Sequence, residues 1–148
     1  MVVEDEKITG LDICQMVWDL GYQPIGPIAS GEDAYAVALS ERPDIILMDI
    51  TLKGQLNGIE TAVAIRCRYR CPVVFVTAHS DEVTFNRARA AVPAGWVLKP
   101  VNEGELQTAI ERALRQYRSG EPPVQVLHAP SYEFADWREG KDRYQRSS

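Results

Sequence analysis

The chain has 148 residues, a length that predicts one domain of ordinary size and a shorter extension. Hydrophobic residues make up 45% of it and charged residues 25%, which indicates a globular protein with a normal core. The net charge of −5 disfavours non-specific binding to nucleic acid or to an anionic membrane, and no apolar run approaches the roughly 20 residues that span a bilayer.

The cysteines and the N-terminus indicate the compartment. Cys14, Cys67 and Cys71 are odd in number and lack the paired spacing of zinc ligands, so we interpret them as reduced thiols. The N-terminal sequence MVVEDEK turns acidic too early for a signal peptide. These features predict a cytoplasmic protein that does not enter the membrane.

Short apolar runs alternate with longer amphipathic stretches along most of the chain. In chain order they predict strand 1–3, helix 7–20, strand 23–29, helix 30–42, strand 45–49, helix 58–69, strand 72–77, helix 81–91, strand 96–98 and helix 103–118. Five strands that alternate with five helices predict an α/β fold, in which helices cover both faces of a parallel sheet.

Two local signals refine the second strand and the helix that follows it. Pro24 and Pro27 lie within the predicted strand 23–29 and cannot donate to a hydrogen-bond ladder. This strand should therefore lie at an edge of the sheet. The sequence SGED, which begins at Ser30, resembles a capping box and predicts the start of the next helix.

The composition changes after Arg118. Residues 119–148 are polar, with scattered aromatic residues, and they lack the periodic segments of a second domain. We predict a linker and mostly disordered tail, and its aromatic residues leave open a docking peptide. A tail of 30 residues with balanced charge cannot hold a DNA-binding domain with its own core, so we expect no direct DNA binding.

Polar residues follow four of the five predicted strands. Glu4 and Asp5 follow the first, Asp49 ends the third, Thr77 ends the fourth and Lys99 follows the fifth. The carboxyl ends of parallel strands line one crevice, so these side chains should converge there. Three neighbouring carboxylates repel one another, and a hard cation such as Mg²⁺ would compensate their charge. One carboxylate could then attack phosphorus and form an aspartyl phosphate.

Four motifs at these strand ends carry a resemblance to a known family. VVEDE, ILMDITL, VFVTAHS and WVLKPV, in this order and spacing, closely resemble the receiver domain of two-component response regulators. The resemblance covers residues 1–118. It implies a flavodoxin-like (βα)5 fold, a doubly wound parallel sheet with strand order 2-1-3-4-5. It also implies a signalling domain that accepts phosphate, rather than an enzyme.

The resemblance assigns a role to each residue of the acidic cluster. Asp49 would accept a phosphoryl group from the phosphohistidine of a histidine kinase or phosphotransfer protein. Asp5 would bind Mg²⁺ directly, Glu4 mainly through water, and the carbonyl of Thr51 would complete the metal site. Mn²⁺ is expected to substitute. The loop DITLKGQLNGIE that carries Thr51 is slightly longer than the commonest receiver form.

The resemblance also names the residues that would sense the phosphate. Thr77, the backbone N–H of Ala78 and Lys99 would hold the phosphoryl oxygens. Pro100 would follow a cis peptide bond that aims Lys99. Thr77 would move toward the phosphate, and Trp96 would turn inward behind it. The family more often has Tyr or Phe where this chain has Trp96.

The implied output is a surface rather than a second reaction. In receivers the face formed by the fourth helix, fifth strand and fifth helix contacts a downstream protein, and it can form a homodimer. Thr51 and His79 flank the path of hydrolytic water in receivers, so they could tune autodephosphorylation. His79 is otherwise read as an exposed loop residue. Small phosphodonors could also phosphorylate the domain.

Three alternatives compete with this interpretation. The polar residues could be strand-end solubilisers, although five at one edge make this the weaker interpretation. An aspartate-nucleophile phosphatase would need a second acid where this chain has Thr51. A flavodoxin-like cofactor module would need a phosphate-binding loop after the first strand, where the sequence EDEK would repel phosphate.

Overall fold

The computed structural model describes residues 1–120, so residues 121–148 of the predicted tail lie outside the described residues. The described chain forms β1 (Val2–Val3), α1 (Lys7–Asp19), α2 (Gly31–Glu41), β2 (Ile46–Met48), α3 (Gly58–Arg66), β3 (Val73–Thr77), α4 (Glu82–Ala88), a 3-10 turn (Arg89–Ala91), β4 (Gly95–Leu98) and α5 (Glu103–Ser119). Strands and helices lie within a few residues of the predicted bounds, with the exception of the predicted second strand.

The four strands form one parallel sheet in the order β1-β2-β3-β4. They correspond to the first, third, fourth and fifth predicted strands. The register aligns Val2 with Leu47, and Leu47 with Val74. The carboxyl ends of all four strands therefore lie at the same end of the sheet. The predicted flavodoxin-like α/β class is confirmed.

The prediction of a second strand is wrong. Residues 23–29 do not form a regular strand, and a single bridge pairs Ile28 with Val3. Two of the seven positions are prolines without an N–H, and Gly26 adopts a φ of +122°, outside the extended region. These residues interrupt a ladder that the apolar pattern alone predicts to be continuous.

This irregular segment nevertheless lies beside β1. Val2 donates to the carbonyl of Ile25 at 2.8 Å and accepts from Ile28 at 2.9 Å. The flanking carbonyls of β1 face β2 instead, where Met1 accepts from Leu47. Because alternate residues of a strand bond to opposite neighbours, the segment occupies the edge of β1 away from β2.

Hydrophobic side chains fill both faces of the sheet. On one face Met48 and Phe75 pack with residues of α2, α3 and α4. On the other face Leu47 and Val74 pack with residues of α1 and α5. Since consecutive strand residues point to opposite faces, strands buried on both sides are apolar throughout. Full burial of each such side chain contributes about 1.5–3 kcal/mol.

The helix ends carry the expected polar caps. The side chain of Ser30 accepts from the N–H of Asp33 at 3.2 Å, as the SGED sequence predicted. A complete capping box forms at α3, where Asn57 and Glu60 exchange hydrogen bonds with each other's backbone N–H. Among residues 1–120, none of the helices has the length and apolar character that crossing a membrane requires.

Candidate functional site

Three carboxylates meet at the carboxyl end of the sheet. Glu4 and Asp5 follow β1, and Asp49 follows β2; one oxygen of each lies within 4.8 Å of the other two. Backbone hydrogen bonds fix two of these residues, because the N–H of Glu4 donates to the carbonyl of Ile28 and the N–H of Asp49 donates to the carbonyl of Val3. Glu4 is 2% exposed and Asp49 is 6% exposed, so the cluster is largely shielded from water.

Lys99 supplies the positive charge in this cluster. Its ammonium group donates to Asp49 Oδ2 at 3.0 Å and to Glu4 Oε2 at 2.5 Å. The backbone N–H of Lys99 donates to the carbonyl of Thr77, which fixes the end of β4 against β3. The peptide bond between Lys99 and Pro100 is cis.

Burial and pairing shift the pKa values of this pair. Burial raises the pKa of the Glu4 carboxyl, outweighing the opposing effect of its hydrogen bonds with Lys99 and the N–H of Glu6. Burial alone would lower the pKa of Lys99, but its hydrogen bonds with Glu4 and Asp49 raise that pKa above its ordinary value. The ammonium group therefore stays charged at neutral pH.

The donor set fits a hard divalent cation. With all groups ionised, three carboxylates and one ammonium leave an excess of two negative charges around one small space. The ligand atoms are oxygens, which Mg²⁺ prefers to nitrogen or sulfur. The buried Glu4 and Asp49 are also the groups that gain most from added positive charge.

Side-chain contacts connect the loop after β2, which follows Asp49, with the loop after β3. The N–H of Thr51 donates to Asp49 Oδ1 at 3.1 Å, and Thr51 Oγ1 lies 3.0 Å from His79 Nε2. The N–H of His79 donates to Thr77 Oγ1 at 3.1 Å. Thr77 is fully buried, whereas Ala78 and His79 are exposed.

A close backbone approach sets the position of Asp49. The N–H of Gly58 donates to the carbonyl of Ile50 at 2.8 Å, and a Cβ at Gly58 would lie 1.8 Å from the Asp49 carbonyl oxygen. Only glycine fits here. The start of α3 therefore rests directly against the backbone of the candidate phosphoacceptor.

Trp96 lies on β4, three residues before Lys99, and is half-buried. Its ring contacts Phe75 edge-on, with centroids 5.7 Å apart, and Phe85 of α4 at 4.6 Å. A groove of about 1230 Å³ runs between α4 and α5 over β4. Phe85 and Leu98, each 42% exposed, line this groove together with Trp96.

The structure thus brings Glu4, Asp5, Asp49 and Lys99 into one cluster, as the strand ends predicted, and the backbone of Lys99 connects this cluster to Thr77. It also shows contacts that the sequence did not predict. Lys99 pairs with Glu4 as well as with Asp49, Phe85 packs on Trp96, and Glu32 of α2 binds the backbone of the loop after β2. The acidic Glu32 was visible in SGED, but its position in a first helical turn indicated only helix capping.

A comparison with protein families decides the class of this domain. The family described as "Response regulator receiver domain" matches residues 1–111. The chain belongs to this family. Receiver domains are signalling domains of two-component systems, and this membership decides against the flavodoxin-like and phosphatase alternatives.

Curated relatives agree with the assignment. Over 118 residues the chain is 30% identical to the transcriptional regulatory protein PdtaR of Mycobacterium tuberculosis, a match that covers 80% of this chain and 57% of that protein. It is 34% identical over 122 residues to the positive alginate biosynthesis regulatory protein of Pseudomonas aeruginosa, covering 80% of this chain and 48% of that protein. The chain thus spans about half the length of these relatives.

Solved structures show the same fold. The signal receiver domain of a modulated diguanylate cyclase from Desulfovibrio desulfuricans has a TM-score of 0.76 and 36% identity, with coverage of 81% of this chain and 95% of that chain. The chemotaxis protein CheY4 of Vibrio cholerae has a TM-score of 0.68 at 23% identity, covering 76% of this chain and 94% of that chain. The second likeness concerns the fold alone.

Proposed function

We propose that this receiver domain accepts a phosphoryl group on Asp49 from a phosphohistidine of a histidine kinase or phosphotransfer protein. The observation that carries the proposal is the buried cluster in which Asp49 shares Lys99 with Glu4, beside Asp5. Asp49 is a nearly buried carboxylate at a strand end, held by a lysine and next to two further acids. An apolar residue would pack better at such a position, so packing does not explain the carboxylate.

The residues that would hold a metal follow from the same cluster. Asp5, Asp49 and the carbonyl of Thr51 would bind Mg²⁺ directly and Glu4 mainly through water, and Mn²⁺ could replace it. When bound, Mg²⁺ supplies positive charge that offsets the charge of the transferring group.

In the transfer itself, a carboxylate oxygen of Asp49 attacks phosphorus in line with the leaving imidazole. The O–P bond forms as the P–N bond breaks, and the imidazole keeps that electron pair and takes up a proton. Lys99, which binds two carboxylates in this structure, would then donate to a phosphoryl oxygen. The backbone N–H of Ala78, an exposed residue, would donate to a second oxygen. A small phosphodonor with a good leaving group could react in the same way.

The response to phosphorylation would begin at Thr77. Its hydroxyl accepts from the N–H of His79, so a turn toward the phosphate gives up that bond and frees the loop before α4. Trp96 could then move inward behind Thr77, leaving its contact with Phe85. In this proposal the Thr77–His79 hydrogen bond and the Trp96–Phe85 contact are the contacts that change, so one covalent phosphate can shift the populations of the two arrangements.

The readout surface would be the face of α4, β4 and α5. Its groove and the exposed apolar residues that line it, Phe85 and Leu98, offer area for a downstream protein or for a second copy of the chain. A change at Trp96 would alter this face directly. From the sequence we take the receiver domain to be residues 1–118 and the polar residues 119–148 to be no part of it.

Intact mass spectrometry tests the proposal. The protein is incubated with Mg²⁺ and an acyl phosphate, and we expect one phosphoryl adduct per chain. Asp49→Asn should remove the adduct, and a chelator should prevent it. Asp44→Asn is the matched control, because Asp44 is an exposed aspartate just before β2, at the other end of the strand from Asp49, and its substitution should leave the adduct intact. No adduct on the wild type, or an equal adduct on Asp49→Asn, would overturn the proposal.

A further inference from the structure

The loop between β2 and α3 carries a residue of the proposed metal site, and Leu52 within it packs against the hydrophobic core. Residues 51–57 are exposed or half-buried throughout. A surface loop in which no residue is fully buried is expected to open readily unless hydrogen bonds hold it. The position of the Thr51 carbonyl therefore depends on what fixes this loop.

Both ends of the loop are fixed locally. Near its start, the N–H of Thr51 donates to Asp49 Oδ1 at 3.1 Å. At its end, the capping box of Asn57 and Glu60 begins α3, and Gly58 is seated against the Asp49 backbone. Besides these local contacts, Thr51 Oγ1 lies 3.0 Å from His79 Nε2 of the loop after β3. Residues 53–56, in the middle of the loop, are held by another element.

That element is the first turn of α2. Glu32 Oε1 accepts from the backbone N–H groups of Gln55 and Leu56, both at 2.9 Å. Ser30, just before the helix, forms a parallel bridge with Lys53. Gly54 adopts a φ of +107°, and a Cβ there would lie 2.9 Å from Glu32 Oε2. The loop is therefore shaped to wrap closely around this one carboxylate.

We propose that Glu32 is a positioning residue that holds the loop after β2 and thereby fixes the Thr51 carbonyl for metal binding. The inference rests on the proposed function, since it assumes that this carbonyl is a metal ligand. A carboxylate suits the task because one oxygen accepts two backbone N–H groups, and hydrogen bonds to a charged acceptor are stronger than neutral ones.

The expected effect is a loss of metal affinity. Partners that orient a metal ligand typically change affinity by about 10- to 100-fold when they are removed. Glu32 is exposed and acts through the backbone, so we expect Glu32→Ala to weaken Mg²⁺ binding by roughly tenfold, at the lower end of that range. Glu32→Gln should lose less, because its amide oxygen can still accept from the same two N–H groups.

The test uses the full chain and the metal alone. Binding of Mn²⁺ is measured by electron paramagnetic resonance, and Mg²⁺ affinity is obtained by competition. Asp33→Asn is the matched control, because it removes a negative charge from the same helical turn without touching the loop. Amide exchange at Gln55 and Leu56 provides a second readout, and it should become faster in Glu32→Ala.

The outcomes separate this inference from the proposed function. If the wild type binds no metal, the proposed function and the inference both fall. If the wild type binds and Glu32→Ala and Glu32→Gln bind equally well, the inference alone falls. A loss in Asp33→Asn as large as in Glu32→Ala would mean that charge acts at a distance, which also contradicts it. Weaker binding in Glu32→Ala, partly recovered in Glu32→Gln, would support it.

Discussion

Loss of the Lys99 ammonium group should destabilise the protein, and added metal should reverse much of the loss. Lys99→Met keeps a long unbranched side chain of similar volume but removes the charge. In the variant, Glu4 and Asp49 would remain buried beside Asp5 without their cation. Their mutual repulsion and their missing hydrogen bonds then both oppose folding.

The size of the effect follows from the burial of each group. Removing one partner of a buried ion pair costs about 3–5 kcal/mol. Two features reduce that value here. The side chain of Lys99 is 19% exposed, and Glu4, whose pKa burial has already raised, can take up a proton in the variant. We therefore expect the free energy of unfolding to fall by about 2–3 kcal/mol.

Urea unfolding at neutral pH, with and without Mg²⁺, measures this effect. A ligand at 100 times its dissociation constant stabilises the state that binds it by about 2.7 kcal/mol. In Lys99→Met the cation would replace the lost ammonium, so Mg²⁺ should stabilise the variant more than the wild type. Lys53→Met, at an exposed loop lysine, is the control and should change little. A variant within about 0.5 kcal/mol of the wild type, with equal gains from Mg²⁺, would refute the reasoning.

Three further predictions concern the same region. Gly58→Ala should lower the unfolding free energy by about 2 kcal/mol or more in urea, because its Cβ would meet the Asp49 carbonyl oxygen at 1.8 Å, whereas Gly104→Ala, with its nearest contact at 3.2 Å, should change little. His79→Ala, compared with Ser80→Ala, should shorten the lifetime of the phosphorylated protein by about 2- to 10-fold, because the hydrogen bond to the loop after β2 is lost; an unchanged lifetime would contradict this role. The raised pKa of Lys99 means that its stabilisation is complete below the ordinary value of 10.5 and is lost as the pH rises through the folded-state pKa, so the stability difference from Lys99→Met should shrink above that pH; a constant difference would speak against it.

The sequence predicted which residues lie at the carboxyl ends of the strands better than it predicted the edge strand of the sheet. Asp49 and Lys99 follow clear apolar runs, and parallel strands place such positions together wherever the strands lie. Residues 23–29 also look like a strand from their apolar content, yet Pro24, Pro27 and Gly26 prevent a regular ladder there. An edge segment can lose its regular pairing without exposing the core, so the hydrophobic pattern alone carried no warning.

Individual contacts between side chains could not be predicted from the sequence. The strand-end pattern placed Lys99 near Asp49, but nothing in the sequence showed that it would also bind Glu4, which lies 95 positions away. Glu32 likewise had a sufficient local explanation at the start of a helix, and its contact with the loop became visible only in three dimensions.

The sequence by itself determined the order of the four regular strands and the five helices, the receiver family and the residues at the carboxyl ends of the strands. These depend on periodicity and on motifs, which are local properties of the chain. Only the tertiary structure decided that one ammonium group serves two carboxylates, that Trp96 packs on Phe85, and that Glu32 holds the loop after β2. Such pairings depend on how the helices and loops pack against the sheet. The spacing of residues along the chain does not predict that packing.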